Sequence, residues 1–405
     1  MGDYALLAAL VALLVGLTVG KAWERYKLRD GRWIDRRKAR ESPHYILGLN
    51  FLVSNQIDLA IEELTRAARL TTEALEIDMV LGNLYREKGQ VGRAINIHQG
   101  LLQRPKLTKL ENAYVLLCLG LDFRRGGFVD RALEAFTEVL RLDPRNRYAL
   151  VNLEKLHEEQ HQWLEAYHIR QELAKGSEPE EQPRNQQILA FLETQLGEVA
   201  RKQGDAPAAR AKFESAIDLD PKTAPAYLSL GDMKLADGQV EQAIANWERL
   251  IEVSPERAYL AFDRLEAAYP RSGRPDHFPD LCRQIIQAKP NDWRARLALA
   301  RYLAGRADPA GAFELLLEAL VSNPHGLSVH EEIWKTLLRL DLERTLVERY
   351  MDLTGRSVFY LDPHVCLRCR YRSTELLWQC PQCHEWNTFV EERITPAKDT
   401  EETQN

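Results

Sequence analysis

Four cysteines between residues 366 and 383 have the spacing of a metal site. Cys366 and Cys369 form one C-x-x-C pair, and Cys380 and Cys383 form a second pair after ten intervening residues. Four thiolates on two such turns make a closed tetrahedral site that suits structural zinc or iron. A module of about 30 residues cannot fold on an apolar core alone, so metal binding would supply much of its stability. The spacing therefore predicts one iron or zinc ion bound by these four cysteines.

Paired cysteines can also serve as redox dithiols or form disulfides. A redox pair needs an exposed C-x-x-C beside a βαβ pattern, which this sequence lacks. Disulfides would need an extracytoplasmic location, and the charge distribution described below opposes one. A metal site is the interpretation that the residues favour.

A second stretch, His157 to His161, reads H-E-E-Q-H. In zinc peptidases this spacing places two histidines on one helix face to hold the metal, with the glutamate as general base. Whether the motif has that function here depends on the helices around it.

Those helices belong to a repeat with a period near 34 residues. The recurring pattern is Leu-Gly-x-x-aromatic, a turn residue, Ala-x-x-x-aromatic or Leu, and then Pro, as in Leu119, Gly120, Phe123, Gly127, Ala132, Phe136 and Pro144. Over roughly residues 41–326 it resembles the tetratricopeptide repeat. Each unit is a helical hairpin that buries its apolar stripe only by stacking against neighbouring units.

The repeat register argues against a peptidase. His157 occupies the aromatic position of its unit, and His161 occupies the turn position that glycine fills in most other units. The first helix is therefore expected to end before His161, so that the two imidazoles do not share a helix face. We interpret the pair as a packed histidine and a turn histidine, and expect changes at His157 and Glu158 to be tolerated.

Composition and the remaining motifs exclude other functions. The formal net charge of −6 argues against a nucleic-acid partner, which requires a basic face. The sequence has no G-x-S-x-G motif and no Walker loop, and no pair of carboxylates stands out. Cys118 and Cys282 fall at helix positions within repeats and are expected to be buried core thiols. The chain is therefore predicted not to be an enzyme.

Residues 4–20 form an uncharged run of seventeen residues. As a helix the run would extend about 26 Å, short but adequate for a bilayer core. Residues 21–40 carry nine Lys or Arg against three Asp or Glu, so the positive-inside rule places the following body in the cytoplasm. The alternative, a cleaved signal peptide, would need a basic start and an A-x-A-like cleavage site, and this sequence has neither. The run therefore predicts a single-pass anchor. Its small residues recur every four positions and predict packing on another helix: Ala8, Ala12, Gly16 and Gly20. The alternative is that small residues are simply common in membrane spans.

An anchor, a repeat array and a four-cysteine ribbon in this order resemble the lipopolysaccharide assembly protein B family of Gram-negative bacteria. The blocks that carry the resemblance are NFLVSNQ (50–56), GNLYREKGQVGRAINIHQ (82–99) and LWQCPQCHEW (377–386). The resemblance extends over nearly the whole chain. Rubredoxin-like domains often have glycine after the second cysteine of each knuckle, where this chain has Arg370 and His384.

The resemblance implies an inner-membrane adaptor that regulates lipopolysaccharide biosynthesis. Its implied partners are an FtsH-type membrane protease, the lipid A pathway deacetylase that this protease degrades, and other inner-membrane lipopolysaccharide proteins. The implied location is the bacterial inner membrane, with the N-terminus periplasmic and the body cytoplasmic. The alternative is a scaffold that coordinates lipopolysaccharide assembly enzymes there without a role in proteolysis.

First helices of such repeats line a binding groove. Four polar side chains on these helices are candidates for partner binding: Asn83, Arg86, Arg124 and Arg125. The alternative is that they only form a solvated helix face.

Together these features predict an all-α fold: a tetratricopeptide-repeat α-solenoid with an N-terminal transmembrane helix and a small rubredoxin-like ribbon. The predicted domains are an anchor (1–20), a basic juxtamembrane segment (21–40), the repeat array with capping helices (41–355), the metal-binding domain (356–390) and a disordered tail (391–405). Gly176–Asn185 is either a linker that divides the array into two lobes or an ordinary long surface loop.

Overall fold

The computed structural model describes residues 42–70, 75–105, 107–323, 326–340, 348 and 364–391. The chain divides into two compact units, Met1–Leu156 and His157–Asn405. Each unit consists mainly of helical hairpins, and the second also contains a small sheet. The prediction of an all-α tetratricopeptide-repeat fold with a small cysteine ribbon is confirmed for the described residues.

The described part of the first unit is a series of paired helices. Its helices are α1 (Pro43–Val53), α2 (Ile57–Leu70), α3 (Leu75–Glu87), α4 (Val91–Leu102), α5 (Lys109–Arg125), α6 (Val129–Leu142) and α7 (Arg147–Glu159), the last of which ends within the second unit. α5 begins with a capping box in which Thr108 and Glu111 satisfy each other's backbone N–H groups.

A glycine in the first helix of a hairpin lets a large side chain of the second helix pack directly on the backbone. The side chain comes sixteen positions after the glycine, in the pairs Gly48–Leu64, Gly82–His98, Gly120–Phe136, Gly197–Phe213 and Gly231–Trp247. A Cβ added at Gly120 would lie 2.6 Å from Cε1 of Phe136, which is fully buried. The repeated glycine of the sequence pattern is therefore required by close packing of the two helices.

The turn between the two helices of a hairpin uses the left-handed backbone region. Positive φ angles occur there at Gly89, Gly127, Gly204 and Gly238, and at His161, whose φ is 56°. Histidine enters this region more readily than most side chains. Because α7 ends at Glu159, the two histidines of H-E-E-Q-H do not share a continuous helix, as the register predicted.

The second unit continues the hairpins with one irregular stretch. Its further helices are α8 (Trp163–Lys175), α9 (Gln182–Lys202), α10 (Ala206–Leu219), α11 (Ala224–Ala236), α12 (Val240–Val253), α13 (Phe262–Ala268), α14 (His277–Ala288), α15 (Trp293–Gly305), α16 (Pro309–Ser322) and α17 (Leu327–Leu337). Short 3-10 helices precede α9 and flank α13, at Pro179–Glu181, Pro255–Ala261 and Tyr269–Ser272.

The segment Gly176–Asn185 does not divide the two units, whose boundary lies at Leu156. Its last four residues form the first turn of α9. Asn185 is buried, accepts a hydrogen bond from Arg170 and donates one to the hydroxyl of Ser177. The segment is thus an ordered connection within the second unit, and the linker interpretation is wrong.

The ribbon is a three-stranded antiparallel sheet with strand order β2-β1-β3. The strands are β1 (His364–Cys366), β2 (Arg372–Ser373) and β3 (Phe389–Glu391). Glu391, predicted to begin a disordered tail, pairs with His364 in this sheet. Residues 392–405 lie outside the described residues.

The predicted location in the inner membrane, with a periplasmic N-terminus, is contradicted. Across the described ranges, no helix is long and apolar enough to cross a membrane. Even the 21-residue α9 carries charged side chains along its length, among them Glu193, Glu198 and Arg201. Residues 1–40, which contain the predicted anchor and basic segment, lie outside the described residues, as do the small residues of the proposed packing stripe: Ala8, Ala12, Gly16 and Gly20.

The glycine packing gives a direct stability prediction. Gly120→Ala should lower the free energy of unfolding, because overpacking against Phe136 costs about 1–3 kcal/mol and outweighs a gain in helix propensity of up to about 1 kcal/mol. Gly100→Ala is the matched control in α4, since a Cβ there meets nothing within 4 Å, and it should stabilise. Urea unfolding of both variants measures the difference. Equal midpoints would contradict this packing.

Candidate metal centre

The four predicted cysteine ligands converge in the ribbon. Their sulfur atoms all lie within 4.8 Å of one another, and among the described residues this is the one group of three or more potential ligands. The Sγ atoms of Cys366 and Cys383 are 3.7 Å apart, and those of Cys369 and Cys380 are 3.5 Å apart. Cys366 and Cys380 are fully buried, while Cys369 and Cys383 are half-buried.

Two matching turns position these thiols. Backbone N–H groups of Arg370 and His384 donate to the carbonyl oxygens of Cys366 and Cys380, at 2.9 and 2.8 Å. Arg370 and His384 both have positive φ, 64° and 54°, in the conformation that glycine adopts most easily. The knuckle geometry therefore forms although the usual glycine is absent from both positions.

The electrostatics of the cluster favour a bound cation. Burial, together with hydrogen bonds from the neighbouring thiols, raises the pKa of Cys383 to about 12. Thiols this close cannot all ionise near neutral pH without a positive charge among them. Backbone N–H groups already donate to the sulfurs of Cys366 and Cys380, as a thiolate acceptor requires. The site therefore fits one metal ion bound by four cysteines, as predicted.

Such an ion would stabilise the fold of the ribbon and would not take part in catalysis. Four sulfur ligands complete a tetrahedral shell and leave no open position for a substrate. In the small hydrophobic core of the ribbon, Phe389 packs beside the buried cysteines. A bound metal and this ring would together stabilise the small core of the ribbon.

Trp386 fastens the ribbon to the repeats of the second unit. Its buried ring stacks on Phe191 of α9, with ring centroids 5.4 Å apart and an interplanar angle of 15°. Trp163 of α8 contacts it edge-on at 6.2 Å. Trp378 lies 6.0 Å from the Phe191 ring and has the guanidinium of Arg257 over its face at 5.1 Å. Aromatic pairs of this kind contribute about 0.5–1.5 kcal/mol beyond the area they bury.

Glu158 is the polar centre of the same contact. Its carboxylate is buried and accepts hydrogen bonds from Nε1 of Trp386 at 2.8 Å and from Nε2 of Gln379 at 2.6 Å. The next residue, Glu159, lies 3.1 Å from Nε2 of His384. Two carboxylates of H-E-E-Q-H thus bind the ribbon.

Arginines of the second unit complete the contact. Arg184 donates to the carbonyl oxygen of Trp386 at 3.1 Å and to the carboxylate of Glu385 at 3.3 Å. Arg257 donates to the side-chain oxygen of Asn387 at 2.7 Å. The turn that follows the second cysteine pair is therefore held from several sides.

The structure assigns H-E-E-Q-H a role that sequence reasoning missed. His157 hydrogen bonds with Gln162 at 2.6 Å, and His161 forms the turn. Glu158 is only 3% exposed and binds two ribbon side chains, so we now expect changes there to be costly, whereas the sequence led us to expect tolerance. Its ribbon partners lie more than 200 positions away in the sequence, and periodicity gives no signal for such a pair.

The four predicted partner-binding residues lie on first helices of the first unit. Arg86 mainly stabilises the first unit, because its side chain is only 13% exposed and forms an ion pair with buried Asp122 at 2.8 Å. Arg124 donates to Oδ1 of Asn152 at 2.9 Å. Arg125 is exposed, and Asn83 is half-buried.

Asp122 also binds His98, the large side chain that packs on Gly82. Burial acts to lower the pKa of His98, but hydrogen bonds with Asp122 and Cys118 outweigh it and raise the pKa to about 9. His98 and Arg86 thus both contact the buried carboxylate of Asp122, one at each oxygen.

Comparison with known proteins supports both modules. Residues 364–391 match a family model described as a rubredoxin metal binding domain. Residues 118–165, 194–237 and 234–292 match a tetratricopeptide repeat model.

Two curated relatives match along most of the chain. Lipopolysaccharide assembly protein B of Haemophilus influenzae is 26% identical over 94% of this chain and 97% of that protein. The protein of the same name in Escherichia coli K12 is 24% identical over 86% of this chain and 89% of that protein. The predicted resemblance to this family is confirmed. A solved tetratricopeptide repeat protein from Parabacteroides merdae, 17% identical, covers 65% of this chain and 98% of that chain with a TM-score of 0.33.

The buried contact predicts that Glu158 controls how firmly the ribbon is held. Glu158→Ala leaves the buried indole N–H of Trp386 without an acceptor, at a cost of about 1–3 kcal/mol, and also removes the acceptor of half-buried Gln379. Release of the metal to a chelator should therefore become roughly tenfold faster or more, which corresponds to at least about 1.4 kcal/mol. His157→Ala, one position away and outside the contact, is the matched control and should release metal at the wild-type rate. Equal rates in the two variants would rule out this role for Glu158.

Proposed function

We propose that this chain is a non-catalytic adaptor that regulates lipopolysaccharide biosynthesis. In this proposal it presents the lipid A pathway deacetylase to an FtsH-type ATP-dependent protease and so promotes degradation of that enzyme. The observation that carries the proposal is the similarity to lipopolysaccharide assembly protein B along 94% of the chain, which includes both the repeats and the ribbon.

The physical character of both modules supports a binding role. Stacked helical hairpins present extended surfaces and are widely used to bind other proteins. The four-cysteine site is closed, so its metal would serve structure. Because Trp386 and Glu158 fix the ribbon on the repeats, the second unit offers the ribbon and the neighbouring hairpins together as one surface. A protease and its client could meet on such a surface.

A scaffold for lipopolysaccharide assembly enzymes is the second candidate. The name of the relatives refers to assembly and not to proteolysis, and this favours the scaffold as an alternative. Both candidates require binding surfaces, and turnover of the client distinguishes them.

The proposal predicts a change in the lifetime of the deacetylase. After its synthesis is stopped, its half-life in cells should lengthen several-fold when this protein is depleted. Wild-type protein should restore rapid turnover and Cys366→Ser should not, because the ribbon would lose a metal ligand. Glu158→Ala should fail in part, since it loosens the ribbon but retains all four thiols.

His157→Ala is the control and should restore turnover fully. A half-life that does not respond to depletion would refute the degradation role and favour the scaffold.

A further inference from the structure

The docked ribbon shows how one position of the repeat binds an aromatic side chain. Phe191, on which Trp386 stacks, lies five positions before the Leu-Gly pair of its unit, Leu196 and Gly197. In two repeats of the first unit the same position is a tyrosine: Tyr114 lies five positions before Leu119, and Tyr148 five before Leu153. Equivalent positions of a repeat lie on the same face of the first helix.

These tyrosines differ from Phe191 in exposure. Phe191 is buried beneath Trp386, whereas Tyr114 is 48% exposed and Tyr148 is 73% exposed. Large aromatic side chains are enriched in protein interfaces, because they bury much area and lose little side-chain entropy. Two exposed tyrosines at matching positions of successive first helices therefore form a surface of the kind that Phe191 presents to the ribbon.

A second repeat position sets the polarity of the ligand. Glu158 lies five positions after Leu153 and accepts the indole N–H of Trp386. One repeat earlier, five positions after Leu119, the side chain is Arg124, followed by exposed Arg125. The acceptor that suits an indole is thus replaced by guanidinium donors, which bind carboxylates in preference to N–H groups.

We propose that Tyr114 and Tyr148, with Arg124 and Arg125, bind an extended segment of the client that carries an aromatic or apolar side chain next to a carboxylate. The ring or apolar group packs on the tyrosines as Trp386 packs on Phe191, and the carboxylate faces the arginines. This inference rests on the proposed function, because it names the client of the adaptor as the occupant.

This site differs from the groove predicted from the sequence because it includes two tyrosines and does not include Arg86. Arg86 pairs with Asp122 inside the fold, so the tyrosines and the later arginine pair supply the recognition. The sequence analysis did not predict a role for the two tyrosines, although they and Phe191 occupy the same position of the repeat.

The test uses the full-length protein and the purified lipid A pathway deacetylase as the binding probe, in a titration at fixed salt. The double variant Tyr114→Ala/Tyr148→Ala should weaken binding at least tenfold, whereas Tyr114→Phe/Tyr148→Phe keeps the rings and should remain within twofold of wild type. Leu70→Ala is the matched control for loss of an exposed apolar side chain, since Leu70 is 68% exposed on a second helix of the same unit. It should bind as wild type does.

The arginines give a second readout. Arg125→Glu should weaken binding at least fivefold and reduce its dependence on salt, and Arg125→Lys should recover most of the affinity. Unfolding midpoints equal to wild type, expected because all these side chains are exposed, confirm that a loss of binding is not a loss of fold.

The outcomes separate this inference from the function on which it rests. If wild type binds the deacetylase and the double alanine variant binds equally well, this surface is not the client site, while the adaptor role stands. If the variant alters only self-association of the chain, the occupant is a second copy and the proposal is overturned. If wild type binds no deacetylase and turnover of the deacetylase is unchanged by depletion, both proposals fail.

Discussion

The buried contact between Glu158 and Trp386 is the interaction on which docking of the ribbon in the second unit depends. A carboxylate removed from water is strongly unfavourable unless donors replace its hydration, and here the indole N–H and Gln379 supply them. Trp386 can reach Glu158 only if the turn after Cys383 is formed, and that turn depends on the four-cysteine site. Metal binding and docking of the ribbon are thereby linked.

The sequence made the local features of this fold predictable and left the distant contacts open. Periodicity located the hairpins, because each hairpin needs the same glycine and apolar positions in every unit. The cysteine spacing located the metal site, since four ligands on two short turns can converge in few ways. The role of Glu158 depends on a residue 228 positions away, and the burial of Arg86 depends on Asp122 in another helix. An uncharged run suggested a membrane span; that run lies outside the described residues, and none of the described helices is long and apolar enough to cross a membrane.

One position of the repeat serves different purposes in successive units. Five residues after the Leu position, Arg86 forms a buried ion pair, Arg124 binds the amide of Asn152, and Glu158 binds the ribbon. The backbone geometry is the same each time, so the side chain alone decides whether the position stabilises the unit or binds another module. A repeat protein can in this way add a binding surface without altering its core.

The linkage between metal and docking is the central claim, and hydrogen exchange tests it most directly. Metal is removed from the full-length protein with a chelator, and exchange is followed in the ribbon (364–391) and in α9 (182–202), which carries Phe191. Faster exchange is predicted in both segments, with no change in α4 (91–102), which lies in the other unit. Faster exchange in the ribbon with unchanged exchange in α9 would show that the ribbon unfolds without affecting the repeats, and would contradict the claim.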